Sequence, residues 1–68
     1  MGSAEIKYLL AKRPQPPRTL AEFARKYGVR RPTASQVASG KRTSRRLEEA
    51  FALELGMSVE QFRRLRAA

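Results

Sequence analysis

Apolar residues recur along the chain at three- and four-residue spacing, in short blocks bounded by residues that start or stop helices. Ile6, Leu9 and Leu10 mark a first block, which Ser3 can cap and which runs to about Arg13. Pro14, Pro16 and Pro17 stop it, because proline has no amide proton and disfavours the helical conformation in the residue before it. Thr19-Leu20-Ala21-Glu22 has capping-box spacing and opens a second helix through Phe23, Ala24 and Tyr27, closed by Gly28. Val29 begins a short connection, and Pro32 falls in the first turn of a third helix, about 31–39, with Ala34, Val37 and Ala38 on one side. Gly40 ends that helix, and Lys41-Arg42-Thr43-Ser44 is a polar basic loop. Ser44 caps a fourth helix, Arg45 to Leu55, with Leu47, Phe51, Ala52 and Leu55 inward and Gly56 after it. Ser58-Val59-Glu60-Gln61 is a second capping box, opening a fifth helix through Phe62 and Leu65. No strand-type alternation of useful length occurs. The expectation is an all-α, compact five-helix bundle forming a single domain over 1–68. Its core is expected from Leu9, Leu20, Phe23, Val29, Val37, Leu47, Phe51, Leu55, Val59, Phe62 and Leu65.

Charge changes the picture. Fifteen Lys and Arg face six acids, all glutamate, for a formal charge of +9 over 68 residues. From Lys12 to Arg46 there are 11 bases and one acid, Glu22; from Leu47 to Phe62 there are four acids and no base; Arg63 to Ala68 returns three positive charges. A chain needing only solubility mixes its signs, whereas a contiguous basic region points to an anionic partner. The absence of His, Asp and Cys argues against triads, thiolate metal sites and metal-hydrolase chemistry. No apolar run approaches the ~18 residues of a membrane span, and no secretory hydrophobic region follows the first residues. Binding rather than catalysis is expected, in the cytoplasm, with no cofactor, metal, membrane or small-molecule ligand.

The segment Leu20 to Val37, LAEFARKYGVRRPTASQV, carries the most specific pattern. Ala24 is small where a second helix crosses close above it, Gly28 accepts the positive φ of a tight turn, and Val29, Ala34 and Val37 fill the space between the helices. Together with Ser39-Gly40-Lys41-Arg42 and the run Leu55 to Phe62, it resembles the helix-turn-helix DNA-binding domain of lambdoid phage repressors and Cro proteins, the Cro/C1 (XRE, lambda-repressor-like) family. The likeness covers roughly residues 19–62 without a gap. It makes 1–18 an N-terminal helix with a Pro-rich connection, and 19–66 the helix-turn-helix core. Three departures stand out: Pro32 near the start of the recognition helix, Glu48 where an apolar residue is common, and the stiff Pro14–Pro17 connection.

The resemblance implies a transcriptional regulator of phage or plasmid repressor type that binds double-stranded DNA as a homodimer in a bacterial or phage-host cytosol, associated with the nucleoid. The third helix would enter the major groove, with Arg30, Arg31, Thr33, Ser35 and Gln36 toward the bases. Arginine pairs bidentately with guanine and glutamine with adenine, each pair discriminating by ~1–3 kcal/mol. Arg31 and Gln36 fall on base-contact positions of the family, the alternatives being a phosphate clamp for Arg31 and a solvated side chain for Gln36. Phosphate contacts are expected from Arg13, Arg18 and Thr19 on one side of this helix, and from Ser39, Lys41, Arg42, Thr43, Ser44 and Arg46 on the other. Leu53, Met57, Phe62 and Leu65 are candidates for a dimer contact, and Arg63, Arg64 and Arg66 for an exposed end, the alternative being an extension of the DNA contact. Three other readings stand open, one of them RNA binding, which the lack of an aromatic stacking platform disfavours. An antitoxin or restriction–modification controller would keep the fold, and a protein-interaction module would use an acidic fourth-helix face of Glu48, Glu49 and Glu54.

Overall fold

A computed structural model describes the backbone of residues 2–67 and the side chains of residues 4–67. Five helices follow in order: α1 (Gly2–Ala11), α2 (Leu20–Tyr27), α3 (Arg31–Ser39), α4 (Arg45–Leu55) and α5 (Val59–Ala67). There is no strand among the described residues. The protein is thus an all-α, five-helix bundle, 24 × 22 × 19 Å.

Local chemistry sets the helix ends. The Thr19 hydroxyl accepts the Glu22 amide at 3.1 Å, and the Ser58 hydroxyl accepts the Gln61 amide at 3.1 Å. At Ser58 the box is reciprocal, since Gln61 Oε1 accepts the Ser58 amide at 2.9 Å. At Thr19 it is not: Glu22 Oε1 reaches one residue further back and accepts the Arg18 amide at 2.7 Å. Ser44 Oγ accepts the Leu47 amide at 3.4 Å. Gly28, at φ +68°, lets the chain reverse so that the Val29 amide reaches the Ala24 carbonyl at 2.9 Å. A side chain in that left-handed conformation crowds its own carbonyl.

α1 departs from expectation. It ends at Ala11 rather than near Arg13, and the Arg13 amide turns back to the Leu10 carbonyl at 3.1 Å. The helix already includes Ser3, so Ser3 does not precede it; the Ser3 side chain lies outside the described residues. Ile6 and Leu10, one turn apart, enter the core, whereas Leu9 is only half-buried.

α3 packs against each of the other four helices, and its inward residues are small: Ala34, Val37 and Ala38. Short side chains let helix axes approach closely, so a nine-residue helix is gripped on one side and left bare on the other. A column of rings runs beside it. Phe23 stacks on Phe51 at 3.8 Å, Phe51 on Phe62 at 5.1 Å, and Tyr27 leans on Phe23 at 4.7 Å, joining α2, α4 and α5. Val29, Leu55, Val59 and Leu65 border this core and are only partly buried. Phe62 is wholly buried and therefore drops out as a surface for another subunit. No described helix is long and apolar enough to cross a membrane.

Candidate nucleic-acid interface

The bare side of α3 follows from its buried one. With Ala34, Val37 and Ala38 inward, 3.6 residues per turn puts Pro32 and Gln36 at the centre of the outer face, Arg31 on one flank and Thr33 on the other. Arg30, Arg31, Pro32 and Gln36 are exposed, while Thr33, Ser35 and Ser39 are half-buried. Arg30 is the residue before the helix, in extended conformation, and its carbonyl accepts the Ala34 amide at 3.1 Å.

On the first flank, Arg31 opens onto a cleft of about 330 Å³ shared with Lys7, Ala11, Arg18, Thr19, Leu20 and Ala21. The start of α2 therefore lies beside the start of α3, with three cations around it. Lys7 was not evident from the sequence as part of this surface. Its position next to the Ile6–Leu10 stripe was readable, but not which helix would lie alongside. Arg18 Nη2 also donates to the Ala11 carbonyl at 3.1 Å, tethering the Pro-rich connection.

On the second flank, the loop after α3 is tied to it through the backbone. The Gln36 carbonyl accepts the amides of Lys41 at 2.9 Å and Arg42 at 3.2 Å, and also the Ser39 hydroxyl at 3.2 Å. Arg42 Nη1 donates to Thr33 Oγ1 at 3.4 Å. Lys41, Arg42 and Thr43 are exposed. Ser44 spends its hydroxyl on the α4 cap, and Arg46 Nη2 donates to the Tyr27 carbonyl at 2.9 Å, bracing the end of α2.

Arg13 does not belong to this surface. Its guanidinium pairs with Glu54 Oε1 at 2.8 Å and also donates to the Glu54 carbonyl. Lys26 Nζ lies 2.6 Å from Glu54 Oε2, which also accepts the Tyr27 hydroxyl. Burial pushes the Glu54 carboxyl up, but its bonds to Lys26, Tyr27 and Arg13 outweigh this and hold it below the usual range. Burial, then the bond to Glu54, pushes the Tyr27 hydroxyl up to about 12.

Glu48 behaves likewise at the other end of α4. It is fully buried, with Arg63 Nη2 2.7 Å from Oε1 and Arg66 Nη2 3.1 Å from Oε2. Burial raises its carboxyl, but the Arg63 hydrogen bond, the Arg66 charge and the Ser44 amide bring it below the usual range. The acidic α4 docking face is thereby ruled out, since Glu48 and Glu54 point inward and only Glu49 is exposed, paired with Arg45 at 3.2 Å. Arg63 and Arg66 are likewise structural partners and not a loose end. The sequence held one clue: Glu48 keeps helical register with Phe51, Ala52 and Leu55, and an acid on a buried stripe needs a cation.

These pairs sort the charges. Five cations are taken up by acids: Arg13, Lys26, Arg45, Arg63 and Arg66. Among the described residues the other ten have no acidic partner: Arg30, Arg31, Lys41 and Arg42 beside the bare face of α3, Lys7 and Arg18 on its first flank, and also Lys12, Arg25, Arg46 and Arg64. No group of three or more potential metal-ligating side chains comes together among the described residues. In comparisons with known proteins, no family model, curated protein or solved structure matches this chain.

Proposed function

We propose that the protein is a sequence-specific double-stranded DNA-binding transcriptional regulator that lays α3 in the major groove. The observation that carries this reading is the cluster of unpaired cations, Arg30, Arg31, Lys41 and Arg42, bordering the bare face of α3, while the buried acids Glu48 and Glu54 engage Arg13, Lys26, Arg63 and Arg66. With its side chains an α-helix is ~10–12 Å across, a fit to a groove ~12 Å wide. Gln36, at the centre of the outer face, reads a base edge, and Arg31 reads a base or clamps the adjacent phosphate. Thr33 and Ser35 lie on the same helix, and Arg30 immediately precedes it. Lys41 and Arg42 on one flank, and Arg18 and Lys7 on the other, neutralise phosphates, and the Thr43 and Thr19 hydroxyls donate to phosphate oxygens.

So small a reader spans few base pairs, and we infer that it acts as a homodimer with two α3 helices about 34 Å apart on one DNA face. Leu53, 75 % exposed, with the partly buried Met57 and Leu65, is the apolar surface left for that contact. Occlusion of a promoter is the resulting mode of repression.

Selection of bound duplexes from a random pool tests all of this together. The expected outcome is an enriched inverted repeat with half-sites one helical turn apart. Gln36→Ala then relaxes preference at one base position, while Lys41→Ala weakens every sequence alike and lowers the log–log salt slope by about 0.9. A pool with no enriched motif, or affinity insensitive to salt, would overturn the reading.

A further inference from the structure

We propose that Arg66, on α5, is a positioning residue for the DNA-reading surface: it holds the last turn of α3 and the Gly40–Arg42 segment in the orientation that presents Gln36, Lys41 and Arg42, without itself meeting DNA. The inference rests on the function proposed above and adds a regulatory dependence of that surface on the C-terminal helix.

The Arg66 side chain is 12 % exposed, and both edges of its guanidinium are engaged. Nη1 donates to the Val37 carbonyl at 3.0 Å, and Nη2 pairs with Glu48 Oε2 at 3.1 Å. The guanidinium carbon lies 5.4 Å from the Phe62 ring centre. Its stem runs beneath Gly40, with Cδ and Nε 3.8 Å from where a β-carbon would stand. Val37 is in the last turn of α3, and the same carbonyl accepts the Gly40 amide at 3.3 Å. One carbonyl earlier, Gln36 holds the amides of Lys41 and Arg42.

A cation at the C-terminal carbonyls of a helix is favoured by the helix dipole, and the planar fork of arginine can serve a carbonyl and a carboxylate at once. Glu48, fixed at the start of α4 and gripped by Arg63, aims that fork. The chain of contacts runs from α4 through Glu48 to Arg66 on α5, then to Val37 and the underside of Gly40. α5 thereby sets the geometry of a surface to which it contributes no base reader. Loss of Arg66 removes the floor under Gly40 and a donor from Val37, and frees a segment that DNA must then order.

The test compares wild type, Arg66→Met and Arg66→Lys in two measurements. One is affinity for the selected duplex across a salt series. The other is amide hydrogen exchange of Lys41 and Arg42 in free protein, against Phe51 as a reporter of global opening. Arg66→Met is expected to bind about tenfold more weakly, the cost of ordering two long side chains and their backbone. The salt slope stays that of wild type, and Lys41 and Arg42 exchange faster relative to Phe51. Arg66→Lys keeps the net charge but lacks the fork, and moves the same readings less far. It decides the matter should the methionine variant not fold. Unchanged affinity in the variants overturns the proposal. So does a slope lower by about 0.9, which would make Arg66 a phosphate contact. Uniform acceleration at Lys41, Arg42 and Phe51 also overturns it, because Arg66 would then stabilise only the whole fold. If wild type selects no duplex, the DNA reading itself falls and this inference with it. A wild type that binds as well as its variants removes the positioning role alone.

Discussion

Glu48→Gln isolates the charge of the carboxylate at the heart of the bundle while keeping its volume. Glu48 accepts Arg63 Nε at 2.9 Å and the Ser44 amide at 3.4 Å, besides its ion pairs with Arg63 and Arg66. Hydrogen bonds to charged groups are worth ~1.5–3 kcal/mol and neutral ones ~0.5–1.5 kcal/mol. A glutamine keeps one acceptor and turns an amide donor toward a guanidinium, so the loss at neutral pH is ~2–3 kcal/mol. A chain of this size has ~3–10 kcal/mol in total, and each kcal/mol shifts Tm by ~4–8 °C, so Tm falls by ~10–20 °C. The pH dependence gives the sign. The folded carboxyl is held below its ordinary 4.5, so its stabilisation is present above that value and is lost as pH falls through the lower folded one. Thermal melts by circular dichroism, from neutral pH down to about pH 3, measure the gap between wild type and variant. The gap is expected to narrow with falling pH as wild-type Glu48 takes up its proton. No gap at neutral pH, or one that stays constant on acidification, would refute the account of Glu48 as a charged linchpin.

Tyr27→Phe removes the hydroxyl bond to Glu54 and is expected to cost ~1 kcal/mol at neutral pH. Because folding raises the Tyr27 pKa from 10.0 to about 12, wild type loses stability as pH climbs through that interval, and the phenylalanine variant loses less, as alkaline denaturation will show. Arg13→Ala leaves Glu54 with Lys26 alone as its cation and lowers stability by ~1–2 kcal/mol in urea titration, with the duplex salt slope unchanged. Gly28→Ala puts a β-carbon where no heavy atom stands within 4 Å, so only the left-handed backbone at φ +68° is strained; the cost is ~1–2 kcal/mol in urea, and a much larger one would mean a clash.

Most of the helical plan was readable residue by residue because the signals are local. Thr19, Ser44 and Ser58 each accept an amide three residues on, and Gly28 and Gly40 close turns through carbonyls a few residues back. α3 and α4 begin and end where the capping and glycine pattern puts them. α1 lacks a closing glycine: the prolines from Pro14 onward bound it only from beyond, and it stops at Ala11, two residues short of Arg13. Its apolar triplet leaves two stripes open, and only packing against α3 and α5 selects Ile6 and Leu10 over Leu9.

The bare face of α3 was equally readable, since small residues at 34, 37 and 38 leave Arg31 and Gln36 outside. The fate of each charge was not. Arg13 meets Glu54 across 41 positions of chain, Arg66 meets Val37 across 29, and Arg63 meets Glu48 across 15. Caps and turns depend on hydrogen bonds within about four residues, whose geometry the residue types impose directly. Ion pairs between helices exist only after the helices pack, so the order of residues dictates which segments coil and which side of α3 is polar, while the assembled bundle selects which cations stay free for a partner.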